Sequence, residues 1–186
     1  MKCEPTMRQR IVQAAERRVR ASGFAEMSFR DVATDVGVKS ASVHYHFPTK
    51  ADLGVAIVAD YATRFSEALD NIDTSDAMGA IDAYAALYDV ALVVDEAICL
   101  CAIMGAESIG LPQPVNEQTR VFFQTNLAWL EGLFKRHTGT SQAGLARLVV
   151  TALEGAIIVA SNAQDRSVLT DVTAELRKVV AQRITQ

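Results

Sequence analysis

The sequence predicts an all-α protein: an N-terminal three-helix unit with a helix-turn-helix, then a C-terminal helical bundle, about nine helices in all. Three observations carry this. Apolar residues recur at three-four spacing along nearly the whole chain, and alternating strand patterns are scarce. Only four prolines interrupt 186 residues. A short stretch centred on Gly37 has the order of residues that two crossing helices need. Half of the residues are hydrophobic, which suits one compact globular unit or two small ones sharing a core.

Thr6 can cap a first helix running to about Ser22, with Ile11, Ala14, Ala15 and Val19 on one face and Gly23 just past its end. Ser28 caps a second, short helix that buries Val32, Ala33 and Val36 and ends at Gly37. A third spans Lys39 to about His46 and is stopped by Pro48. Thr49 then caps a helix from Lys50 to Leu69, roughly 30 Å long at 1.5 Å per residue, a strut between head and body. Further helices are expected at Ser75 to Val94, Asp95 to Ile109, Val115 to Arg136, Gln142 to Asn162 and Thr170 to Ile184. On this reading residues 1–50 form one domain, a head, and residues 51–186 a second, a helical body.

Charge divides the chain the same way. Residues 1–50 hold nine Lys/Arg against five acids, and the remainder nine against seventeen. A basic head on an acidic body fits a head that meets a polyanion. The longest stretches without charge are ten residues, as in Ala97 to Ala106, where a membrane helix needs about 20. No membrane span is therefore expected. Met1 to Pro5 has no apolar segment of the export type, so a cytoplasmic location is expected. Cys3, Cys99 and Cys101 are too few and too scattered for a disulfide framework or a four-ligand metal site, and no metal or cofactor is expected. Cys99 and Cys101, about 200° apart on a helix, cannot share one ligand.

Within Arg30 to Phe47, Ala33 is small where two helices must approach, and Gly37 fills a turn that favours positive φ. Val32, Val36, Val38 and Val43 supply the contacts that lock the second helix across the first, so that Lys39 to His46 forms a rod able to enter a major groove. The pattern from Ser28 to Lys50, ending Val43-His44-Tyr45-His46-Phe47-Pro48-Thr49-Lys50, resembles the DNA-binding region of TetR-family transcriptional regulators over residues 6 to about 55. His44 stands where that family commonly has a tyrosine. The rest of the chain matches the family in length, helicity and helix order.

The resemblance and the residue chemistry together assign roles. Ser28 and Thr49 start helices whose free amides can seat phosphates. Lys50, Ser42 and Tyr45 are candidates for backbone contacts, and Arg30, Lys39, Ser40 and His44 for base edges. His46 is expected to pack between helices. The expected partner is a palindromic double-stranded operator bound by a homodimer, with half-sites about one helical turn apart. The dimer surface is expected on two apolar helices, through Leu145, Leu148, Ala152 and Ala156 on one and Leu169, Val172 and Leu176 on the other. A small apolar or reactive effector is expected among Tyr84, Tyr88, Cys101, Met104, Phe123 and Trp129, and its binding would tilt the strut and release the operator. The resembled family makes repression the expected outcome.

Two other classes are open to the same residues. Ala106-Glu107-Ser108-Ile109-Gly110, with Glu131 and His137 downstream, loosely follows a hydrolase nucleophile elbow, but that motif needs a strand before the serine and none is readable. The chain is therefore expected not to be an enzyme. A helical scaffold that has lost DNA contact is the other alternative.

Overall fold

The computed structural model describes residues 4–93 and 97–184. Cys3 and the expected boundary at Val94 and Asp95 lie outside the described residues. Nine helices and no strand occur among the described residues: α1 (Met7–Ser22), α2 (Phe29–Val36), α3 (Ser40–His46), α4 (Lys50–Asp70), α5 (Ala77–Val93), α6 (Leu100–Ala106), α7 (Gln113–Thr138), α8 (Ala143–Ala163) and α9 (Ser167–Ile184). The chain divides into two compact units, residues 1–64 with 100–122, and residues 65–99 with 123–186.

In the first unit local side-chain and backbone chemistry sets the start of α1 and the end of α2. Thr6 and Gln9 form a capping box on α1: the Gln9 amide donates to Thr6 Oγ1 at 3.3 Å and the Thr6 amide to Gln9 Oε1 at 2.8 Å. α2 ends at Gly37, which takes a left-handed conformation at φ 76°. From there the Val38 amide reaches back to the Ala33 carbonyl at 2.9 Å, satisfying a helix-end acceptor and turning the chain into α3. Ile11, Val19, Val32, Val43, Leu53, Ile57 and Val58 are wholly buried. Glu16 is buried in this apolar setting, ion-paired with Arg64 and 3.7 Å from Arg20. Burial raises its pKa, and the two arginines oppose that shift.

α4 makes its closest approach at Gly54, where a Cβ would come within 2.7 Å of the Phe24 ring and 2.8 Å of Val115 Cγ2. Gly54→Ala should therefore destabilise the protein by about 1–3 kcal/mol through overpacking, despite alanine's better helix propensity. A melting temperature equal to or above that of the wild type would show that the ring yields without cost.

In the second unit α8 packs on α9, and α5 on both. Tyr84, Leu130, Leu133, Phe134, Val149, Leu153, Ile157 and Val180 are fully enclosed. Several helix ends differ from the sequence reading, α7 by two residues at each end. α5 starts at Ala77 because the Asp76 carboxylate accepts the amides of Met78 and Gly79 at 3.1 and 2.8 Å. α9 starts at Ser167, three residues before Thr170, where Asp165 takes the Ser167 amide at 2.9 Å. α6 is only seven residues long, because residues 107–110 turn.

By length and composition alone α8 is apolar enough to cross a membrane, which the lack of uncharged stretches longer than ten residues did not anticipate. It runs 21 residues, and an 18-residue stretch of it has mean hydropathy 1.8 although the helix contains Arg147 and Glu154. Half of it is buried inside the protein, as a core helix would be.

Candidate nucleic-acid interface

α3 is fixed by one face and offers the other. Val43 is fully buried and Phe47, just past the helix, nearly so. Ala41, His44 and Tyr45 point away from that core, and the Tyr45 side chain is 84% exposed. Lys39 precedes the helix, exposed and making no side-chain cap bond. Ser40, Ser42 and His46 are half-buried at the margins of the face. The His44 ring packs edge-on against Phe29, 4.6 Å between centroids, which fixes its orientation; Tyr45 makes a similar contact with His46 at 5.2 Å. Arg30 is exposed on α2. Ala41, which sequence reasoning passed over, shares the outward face, and its methyl is small enough to meet a thymine methyl.

Much of the head's positive charge is committed internally. Arg10 donates to the Val36 carbonyl at 2.9 Å, and Arg18 grips Asp35 through two bonds of 2.6 and 2.7 Å. Arg20 serves Glu16. Arg30 and Lys39, by contrast, make no ion pair with the described residues, so their charge faces solvent.

The capping side chains at the helix starts expected to seat phosphates are already engaged. Ser28 Oγ donates to Asp31 Oδ2 at 2.6 Å and accepts the Asp31 amide at 3.2 Å. Thr49 donates both its amide and its hydroxyl to Asp52, at 2.9 and 2.7 Å. A carboxylate at each seat supplies the negative charge a helix N-terminus attracts. Lys50 donates to the Ala25 carbonyl at 2.8 Å and lies 4.9 Å over the Phe24 ring, bracing the loop between α1 and α2. The same loop is held by Glu107, whose carboxylate accepts the Phe24 and Ala25 amides at 3.1–3.2 Å.

That role for Glu107 also bears on the hydrolase alternative. Ser108 follows the helix α6 rather than a strand. His137 lies in the other unit, its Nε2 3.1 Å from the Thr74 carbonyl. The elbow geometry is not formed.

The residues expected at an effector site separate. Cys101 and Met104 are fully buried on α6 of the first unit, while Tyr84, Tyr88, Phe123 and Trp129 belong to the second. There the Tyr84 ring stacks on Trp129 at 5.6 Å and 16°. Its hydroxyl donates to Asn126 Oδ1 at 3.0 Å and lies 3.3 Å from the Tyr88 hydroxyl, which in turn donates to Glu154 Oε1 at 3.2 Å. Burial raises both tyrosine pKa values, and lifts Glu154 to about 7 against the pull of Cys99 and Tyr88. Asn126 and Glu154 were not anticipated. A signal for Glu154 was present: it is the only charge between Arg147 and Asp165.

The expected interface residues also divide. Leu145, Ala156, Leu169 and Leu176 are buried in the core of their own unit, which leaves them almost no area for a partner. Leu148 is 44% exposed, and Ala152 and Val172 are half-buried. Leu148, Ala152, Gly155 and Val159 follow four-three-four spacing on α8, an outward stripe with small residues at its centre.

Similarity to known proteins agrees with this architecture. A sequence profile of bacterial regulatory proteins of the tetR family matches residues 11–57, from the middle of α1 into α4. A TetR transcriptional regulator from Legionella pneumophila is 27% identical, with 98% of each chain covered and a TM-score of 0.87. A TetR-family regulator from Agrobacterium tumefaciens is 24% identical, with 92% of this chain and 95% of that one covered at TM-score 0.86. The reduced form of NemR from E. coli shares the fold at 16% identity, covering 93% and 96% at TM-score 0.81. No curated protein matches in sequence. The chain thus carries the tetR-family sequence pattern across its helix-turn-helix and shares the fold of TetR-family regulators over nearly its whole length.

Proposed function

We propose that the protein is a ligand-responsive repressor in the cytoplasm that binds a palindromic operator as a homodimer and releases it when a small effector with an apolar body binds the C-terminal region. Residues 1–50 act as the DNA-binding domain, and residues 51–186 carry the effector site and dimer surface. The observation that carries this reading is the outward face of α3: a tyrosine 84% exposed, beside an unpaired lysine, on a helix anchored by a fully buried valine. Exposing a large ring on a rigid rod loses burial energy that contact with a partner restores. Lys39, Arg30, Ser40 and His44 face base edges; Tyr45, Ser42 and Lys50 contact the backbone, Lys50 after releasing Ala25. Ser28 contributes through the backbone at its helix start, since its hydroxyl is held by Asp31.

The exposed α8 stripe supports the dimer, and the effector acts by favouring one tilt of α4 over another, which changes the spacing of the two reading heads. By reciprocity the operator weakens effector binding by the same factor. Selection from a random duplex pool should return an inverted repeat with half-sites about 10 base pairs, or a multiple, apart. A pool that remains unenriched would refute the reading.

A further inference from the structure

We infer that Glu154, with the rings of Tyr84, Tyr88, Trp129 and Phe65, forms a recognition point for an organic cation: a protonated nitrogen carried on an apolar, ring-sized body. This deepens the effector site proposed above and rests on that reading for its regulatory consequence only.

One side of the argument is the unmet acceptor. The Glu154 carboxyl takes hydrogen bonds from Tyr88, at Oε1, and from Cys99, but Oε2 is shielded from solvent and left without a partner. A buried carboxyl oxygen left without a donor is costly, and its presence at the centre of α8 asks for a function. The other side is the aromatic wall. Phe65 meets Tyr84 and Tyr88 edge-on at 6.2 and 6.3 Å, Tyr84 and Tyr88 lie 5.7 Å apart, and Trp129 stacks behind Tyr84. Ring faces attract a cation, and an ammonium N–H supplies the donor that Oε2 lacks. An anionic effector would meet a carboxyl and be disfavoured. A neutral apolar one would leave Oε2 unsatisfied.

The carboxyl is also poised for this partner. With its pKa lifted to about 7, Glu154 rests near half-protonation in neutral solution. Little free energy is then needed to ionise it when a cation arrives, and the arriving charge favours the ionised form.

Trp129 is the only tryptophan in the chain and stacks on the site, so its fluorescence reports occupancy without DNA. Protonated 2-phenylethylamine and tryptamine should shift Trp129 emission saturably, and neutral 2-phenylethanol should bind at least about tenfold more weakly, the ratio expected when one charge-assisted hydrogen bond is lost. Glu154→Gln, checked by circular dichroism for an unchanged helical fold, should weaken both amines by roughly the same factor and leave the alcohol unaffected. Equal binding of alcohol and amines, unchanged amine affinity in the variant, or no saturable shift with either amine would each overturn the inference. Because no DNA is present, a failure of operator binding leaves this result standing, and an operator that responds only to neutral or anionic compounds removes the site's regulatory role.

Discussion

Replacing Lys39 and Tyr45 together by alanine should lower operator affinity by about a thousandfold or more and leave the melting temperature unchanged. The expected loss follows from two contacts of about 1–3 kcal/mol each, doubled in a dimer. The neutral effect on stability follows from exposure: Tyr45 is 84% accessible, and Lys39 makes neither a cap bond nor an ion pair with the described residues. The two side chains should also differ from each other. If Lys39 neutralises a phosphate as well as reading a base edge, Lys39→Ala alone should flatten the salt dependence by about one charge per subunit, whereas Tyr45→Phe should leave it unchanged. Val43→Ala is the contrasting case, since it removes buried volume and should cost stability and DNA binding together. A Lys39 and Tyr45 variant that binds as tightly as the wild type would exclude α3 as the reading helix.

Glu154 should make the folded protein less stable as pH rises through neutrality. Its pKa in the folded state, about 7, lies above the ordinary 4.5, so the native chain holds this proton more tightly than the unfolded chain does. The contribution is fully present below pH 4.5 and is lost as pH climbs through 7. The difference amounts to at most about 3 kcal/mol. Glu16, also raised by burial, acts in the same direction. Asp35, Asp73 and Asp165 are shifted downward and act in the opposite sense, but only in acid, below the range in question. Urea unfolding at pH 5 and pH 8 should therefore show a marked loss in the wild type and a much flatter profile in Glu154→Gln, which should be the more stable of the two at pH 8. Parallel profiles would mean that the carboxyl is solvated in the native state.

The sequence was most legible where chain-local chemistry decides structure. Thr6, Ser28 and Thr49 cap the helices they were expected to cap, and Gly37 takes the left-handed turn, because each outcome depends on neighbours within three or four residues. The same locality hid what those caps do to function. Ser28 and Thr49 start helices expected to seat phosphates, and Asp31 and Asp52, three residues on, already take their hydroxyl protons. Long-range pairings were less accessible. Lys50 reaching Ala25, Glu107 holding the Phe24 amide and the Tyr84–Asn126 bond join residues 25 to 83 positions apart, and no periodicity encodes them. On α8 the apolar residues run nearly all round the helix, so the pattern could not tell the core stripe of Val149, Leu153 and Ile157 from the outward stripe of Leu148 and Val159. Packing in three dimensions made that choice.

The account turns on α3 reading DNA from a symmetric pair of chains. Its most direct test is titration of the wild-type protein against the duplex recovered by selection, at 50 and 200 mM salt, with the mass of the complex measured in parallel. The expected result is two chains per duplex and an affinity that falls by about a thousandfold or more across that range. One chain per duplex, or an affinity indifferent to salt, would contradict it.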